Sequence, residues 1–179
     1  MNYMKIKFPD IANGPGTRAS LFVSGCPHHC KGCFNEETWD YDAGEPFTSF
    51  TLLDLISILN DEARCSGFTI LGGEPLCPEN RDYVLEILGY IYTHVTNRKV
   101  LDNIWIYSGY TVEELKSMFD INLLRGVSVL VDGRFIEEKK DLSLTYCGSS
   151  NQRLIDVNKY LDGDPNFELD KYTLGKYHD

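Results

Sequence analysis

Three observations predict an α/β fold, a parallel sheet that closes only part of a barrel. Strand-like and helix-like segments alternate along most of the chain, and each candidate site loop follows a strand-like run. The chain has 179 residues, too few for a complete eight-unit barrel, which takes about 250. Alternation of this kind indicates parallel strands joined by crossover helices. An open, partial (β/α) barrel in a single domain follows, with its site at the C-terminal ends of the strands.

In chain order, residues 17–23 are strand-like and run directly into a cysteine loop. Residues 50–60 carry Leu52, Leu53, Leu55, Ile56, Ile58 and Leu59, a helical pattern. Residues 68–71 form a short apolar strand, and 80–95 a helix with Tyr83, Val84, Ile87, Leu88 and Ile91 on its apolar face. A strand at 104–107 precedes a helix over 112–119, which Thr111 opens with Glu114 three residues on, the pattern of a capping box. The last strand of the series is 127–131. From Asp156 the periodicity fades among Tyr, Lys and Asp, so 1–155 reads as the domain and 156–179 as a C-terminal extension, loosely packed or disordered.

Composition narrows the function. The apolar fraction of 42% is ordinary for a soluble protein, and no stretch is long enough to span a membrane. A net charge of −10 argues against nucleic acid as a partner, because such proteins usually present a basic face. Met1 to Phe8 is charged and alternating, without the apolar core of a secretory signal. A cytoplasmic, reducing setting is expected, where clustered cysteines bind metal or do redox work more often than they pair.

The clustered cysteines are Cys26, Cys30 and Cys33, a Cys-x3-Cys-x2-Cys run with three thiols and no fourth. A closed structural zinc site wants four protein ligands. Three thiolates on a four-iron cluster instead leave one iron open to a substrate or cofactor. Zinc remains the alternative, with His28 or His29 as fourth ligand and a non-catalytic binding module as the function. Cys65, Cys77 and Cys147 have no ligand spacing and read as ordinary thiols.

A second motif, Gly72-Gly73-Glu74-Pro75, ends the apolar run 67–71. Two glycines allow a ligand close to the backbone, and Glu74 offers a carboxylate to a cationic group. A plain turn is the competing reading.

Together, the two motifs resemble those of the radical S-adenosylmethionine (SAM) superfamily. Cys26, Cys30 and Cys33 match its cluster motif, and Gly72, Gly73 and Glu74 match the motif that binds the methionyl amino group of SAM. Within it, the chain most resembles the anaerobic ribonucleoside-triphosphate reductase activating proteins. The matching stretches are Asn-Gly-Pro-Gly-Thr-Arg at 13–18, Leu-Phe-Val-Ser-Gly-Cys at 21–26, Cys-Phe-Asn at 33–35 with Thr38 and Trp39, Gly-Glu-Pro-Phe at 44–47, Trp-Ile-Tyr-Ser-Gly-Tyr at 105–110, Val-Asp-Gly-Arg-Phe at 131–135 and Gly-Ser-Ser-Asn-Gln at 148–152. The resemblance implies an open partial barrel of the radical SAM type, a [4Fe–4S] cluster and SAM as cofactors, and cleavage of SAM to a 5′-deoxyadenosyl radical. The radical would take hydrogen from a glycine of the partner reductase. A low-potential donor such as flavodoxin would supply the electron. An activase of another glycyl-radical enzyme, such as pyruvate formate-lyase, is the nearer alternative.

One position departs from the superfamily. The residue before the third cysteine, usually aromatic and near the adenine, is Gly32, and Phe34 can supply the ring instead. Several other residues have both a structural and a functional reading. Asn13-Gly14-Pro15-Gly16 is turn chemistry that the resemblance places near the cluster; Ser108 and Asp132-Gly133 end strands on the expected face. Arg18 can meet the methionyl carboxylate or a structural ion partner. His28 and His29 read as solvated, Trp39 and Phe47 as core, and Asn35 as a loop hydrogen-bonder.

Overall fold

Apolar runs at 18–23, 67–72, 104–107 and 129–132 become the centre of one eight-stranded sheet in the computed structural model, which describes residues 1–172. In chain order the strands are β1 (Asn2–Asp10), β2 (Arg18–Val23), β3 (Glu45–Pro46), β4 (Gly67–Gly72), β5 (Ile104–Tyr107), β6 (Val129–Asp132), β7 (Arg153–Asp156) and β8 (Glu168–Leu169). The helices are α1 (Ser49–Leu59), α2 (Pro78–His94), α3 (Arg98–Leu101), α4 (Val112–Met118) and α5 (Val157–Leu161). Strand order across the sheet is β3-β1-β2-β4-β5-β6-β7-β8.

This topology corrects the expected open partial (β/α) barrel of the radical SAM type. Only β2, β4, β5 and β6 run parallel; β1, β3, β7 and β8 pair antiparallel at the two edges. The fold is a mixed sheet with five short helices. Three crossovers supply four parallel strands, and hairpin-like returns at both ends then cap the sheet instead of continuing its curvature.

Alternation along the strands sorts the side chains onto two faces. Ala19, Leu21, Val23, Phe68, Ile70, Ile104, Ile106, Leu130 and Ile155 join the large core with apolar residues of α1, α2, α4 and α5. The other face is smaller: Trp105, Val129, Val131 and Leu154 pack with Leu144 and Cys147 of the segment after β6. The helices therefore cover one face, and a loop covers the other. Thr111 and Glu114 form the expected capping box on α4, and Thr48 and Thr51 form a second on α1. Between 156 and 172, Val157 is buried, Tyr160 and Phe167 pack against the core, and β8 pairs with β7. Residues 173–179 of the extension lie outside the described residues.

Two buried polar residues fasten the N-terminal ends of the strands. The Arg18 guanidinium, fully buried, donates to Thr69 Oγ1 at 2.6 Å, Phe68 O at 2.9 Å, Pro15 O at 2.9 Å and Asn103 O at 3.1 Å. Burial pushes its pKa down to about 10. Asp10 is 1% exposed and accepts from Ser20 Oγ at 2.6 Å, Lys7 Nζ at 2.9 Å, Asn13 Nδ2 at 2.5 Å and Ala12 N at 3.1 Å. Burial alone would raise its pKa; the donors outweigh it and hold the carboxyl at about 2. A depressed carboxyl stabilises the fold above its unfolded value, and that stability disappears as pH falls toward 2. Asp10→Asn is expected to cost about 2 kcal/mol at neutral pH. Urea melts should show the gap between the two proteins closing between about pH 4 and pH 2.

Gly89 lies on the exposed side of α2, where an added Cβ would meet nothing within 4 Å. Gly89→Ala is expected to raise stability by about 0.5–1 kcal/mol, read as a higher urea midpoint with an unchanged slope.

Candidate functional site

The C-terminal ends of β2, β4, β5 and β6 open into one cleft of about 120 Å3. Cys26, Cys30 and Cys33 line it together with Gly72, Gly73, Glu74, Ser108, Gly109 and Gly133, so motifs far apart in the sequence meet there. A larger groove of 370 Å3 between α1 and α2 contains none of these residues. The chemistry, rather than the volume, identifies the site.

Strand ends set the geometry. Gly25 N and Cys26 N donate to Thr38 O and Trp39 O, which folds the cysteine loop back onto the segment after it. Gly73 N donates to Val23 O at 2.8 Å and Glu74 N to Gly25 O at 2.7 Å, locking the Gly-Gly-Glu turn against the start of that loop. A Cβ on Gly73 would sit 2.3 Å from Gly25 O. The glycine is thus required by a backbone neighbour, whatever a ligand also requires.

Backbone N–H groups lie beside each cysteine sulfur. His28 and His29 N–H groups point to Cys26, Phe135 N–H points to Cys30, and Asn35 N donates to Cys33 Sγ at 3.4 Å. Burial nevertheless pushes the Cys26 thiol up to about 11 and raises Cys30, with Arg134 opposing the latter shift. Sulfurs served by donors yet penalised for ionising suit thiolates whose charge a bound metal centre neutralises. Trp39 adds a further donor: its Nε1 is buried without a partner, and the residue lines the cleft. Among the described residues, no three His, Cys, Asp or Glu side chains are gathered to hold a single metal ion. The donor set fits an anionic sulfur-bound cluster.

Glu74 occupies the middle of a hydrogen-bonded hub and is 1% exposed. Its Oε1 accepts from Leu76 N at 3.0 Å and Ser108 Oγ at 2.8 Å; its Oε2 accepts from Gly109 N at 2.6 Å and His28 Nε2 at 2.9 Å. The His28 side chain is 4% exposed, not solvated as expected, and packs edge-on against Tyr110 at 4.4 Å. Gly109 makes room for it: a Cβ there would lie 2.4 Å from the imidazole. Sequence reasoning missed His28 because its partner is 46 residues away.

Other expected residues fall outside the cleft lining. Gly32 is exposed, and Phe34 is 59% exposed with its ring 5.2 Å from that of Phe135, which does line the cleft. Arg18 meets neither a carboxylate nor the cleft, since its bonds go to carbonyls and Thr69 at the opposite strand ends. The turn at 13–16 wraps that arginine and is absent from the lining. Asp132, fully buried, instead caps α4 through Val112 N and pairs with Arg153. Gln152, the last residue of the Gly-Ser-Ser-Asn-Gln stretch, lines the cleft and ties Gly133 O to Gly148 N.

A family model described as "4Fe-4S single cluster domain" matches residues 12–155. Curated relatives named anaerobic ribonucleoside-triphosphate reductase-activating protein include that of Escherichia coli strain K12, 40% identical over 153 residues, covering 85% of this chain and 96% of the relative. The chain belongs to this family of activating proteins. The Pasteurella multocida activating protein is 36% identical over 162 residues, 89% of this chain and 100% of its own. The activating protein of Enterobacteria phage T4 is 36% identical over 154 residues, 86% and 93%. No solved structure gives a significant match. Among the described residues of this activating-protein chain, no helix is long and apolar enough to cross a membrane.

Proposed function

We propose that the chain is a radical SAM activase of the anaerobic ribonucleotide reductase, working in the cytoplasm with electrons from a low-potential donor such as flavodoxin. One observation carries this reading: the three-cysteine loop and the Gly-Gly-Glu turn, distant in sequence, line a single cleft at the ends of four parallel strands. Cys26, Cys30 and Cys33 would hold a [4Fe–4S] cluster, and the cleft beside Gly72, Gly73 and Glu74 would hold SAM, with Gly32 and Phe34 toward the adenine. When bound, this pair supplies reductive cleavage of SAM to methionine and a 5′-deoxyadenosyl radical that removes hydrogen from a glycine of the reductase.

What the chain itself contributes is positioning. Backbone N–H groups beside the sulfurs would favour bound thiolates, and the Gly73–Gly25 contact holds the Gly-Gly-Glu turn against the thiol loop. With only three protein ligands, a bound four-iron cluster would keep one iron open to a cofactor. The zinc reading lacks support here, because among the described residues no three His, Cys, Asp or Glu side chains are gathered to hold a single metal ion.

Anaerobic reconstitution with iron and sulfide, dithionite reduction and electron paramagnetic resonance with and without SAM test the proposal. About four irons per chain, a reduced-cluster signal that SAM alters, and 5′-deoxyadenosine as product are expected. Incubation with the reductase should then give a glycyl-radical signal, whereas incubation with pyruvate formate-lyase should not. One zinc per chain and no visible absorption would sink the reading.

A further inference from the structure

The Glu74 carboxylate has room for four donors, and four protein donors already occupy it. A ligand's cationic group could reach it only by displacing one of them. The residue is 1% exposed, and two of its donors are backbone N–H groups that cannot swing aside without moving the chain. Glu74 is therefore built as an internal anchor rather than as a free ligand contact.

Three of its donors come from the turn itself or from the end of β5: Leu76, Ser108 and Gly109. The fourth, His28, comes from the cysteine loop, between Cys26 and Cys30. The imidazole is the side-chain link from the thiol loop to this anchor, and its surroundings hold it in place. Tyr110 packs edge-on to the ring, and a glycine at 109 leaves space that a larger residue would fill. Such a contact costs little if it merely fills space, yet here it joins the two motifs whose relative placement determines whether cluster and cofactor meet.

We infer that His28 is a positioning residue: through Glu74 it braces the Gly-Gly-Glu turn against the cysteine loop, so that SAM affinity depends on a side chain that ligates no iron. The inference rests on the proposed reading of the cleft. Outer-shell partners of this kind typically cost about 10- to 100-fold when removed.

The test compares reconstituted His28→Ala and His28→Gln with the unaltered protein. Iron per chain is measured first, and SAM affinity is then read from titration of the reduced-cluster electron paramagnetic resonance signal. His28→Ala should keep its iron and bind SAM about tenfold or more weakly. His28→Gln, whose amide nitrogen can donate where Nε2 did, should recover most of the affinity. Unchanged affinity in His28→Ala overturns the inference. Equal weakening in both variants also overturns it, assigning the effect to ring bulk against Tyr110. Loss of iron from His28→Ala overturns it too, because the ring would then serve the thiol loop itself. If the unaltered protein fails to respond to SAM, the reading of the cleft falls, and the inference with it.

Discussion

Cys26→Ala, Cys30→Ala and Cys33→Ala are each expected to abolish stable iron binding and to lower reductase activation by more than about 100-fold. The three sulfurs share one cleft, and each has its own backbone N–H donors, so no neighbouring thiol is placed to substitute. Cys65 and Cys147 are buried elsewhere, Cys65 in the helix-covered core and Cys147 on the opposite face of the sheet. Cys77 begins α2, where its sulfur accepts from Tyr41. Cys65→Ala is the matched control and should retain the full iron and sulfide content. The fold should survive the three substitutions, because the loop is also held by Gly25 N, Cys26 N and the Gly73–Val23 bond, none of which uses a thiol. Iron and acid-labile sulfide per chain, visible absorption and circular dichroism separate the two effects. A Cys33→Ala protein with about four irons would require another ligand and overturn the assignment.

Much of the cleft was legible in the sequence because its parts are local: a cysteine run, a glycine pair and short apolar strands, each recognisable within ten residues. The central strands and α1, α2 and α4 lie where periodicity places them. The overall architecture was not legible, for a physical reason. Whether a strand pairs parallel or antiparallel depends on where the chain returns, and apolar alternation is the same in either case. Residues 4–10 of β1 alternate in burial, yet nothing in that alternation reveals its antiparallel partner β2. At the other edge, β8 is two residues long, too short to carry a period. The same limit hid His28. A histidine two residues from a cysteine suggests a ligand or a solvated side chain; its bond to Glu74 exists only once β2 and β4 lie side by side. Arg18 shows the converse: its charge suggested an anionic partner, but five hydrogen bonds to carbonyls and amide or hydroxyl oxygens accommodate it without one.

Glu74→Gln is expected to be nearly as damaging to function as loss of a cysteine, although it is nearly isosteric. Each carboxylate oxygen receives one backbone N–H and one side-chain donor: Leu76 N with Ser108 Oγ, and Gly109 N with His28 Nε2. An amide has one oxygen and one NH2, so half of the site must face a donor with a donor. Ser108 can rotate its hydroxyl to accept, and His28 can shift its proton to Nδ1 and accept at Nε2. A backbone N–H has no such option. Whichever way the amide turns, either Leu76 N or Gly109 N is left buried and unpaired, at a cost of about 1–3 kcal/mol. Urea unfolding should show that loss, and SAM affinity should fall about 10- to 100-fold because the turn and the end of β5 lose their shared anchor. Ser108→Ala, which leaves both backbone donors paired to the carboxylate, should cost less in both measurements. If Glu74→Gln instead matched the unaltered protein in stability but lost SAM, the carboxylate would be a direct ligand contact, and its four internal bonds would have to rearrange on binding.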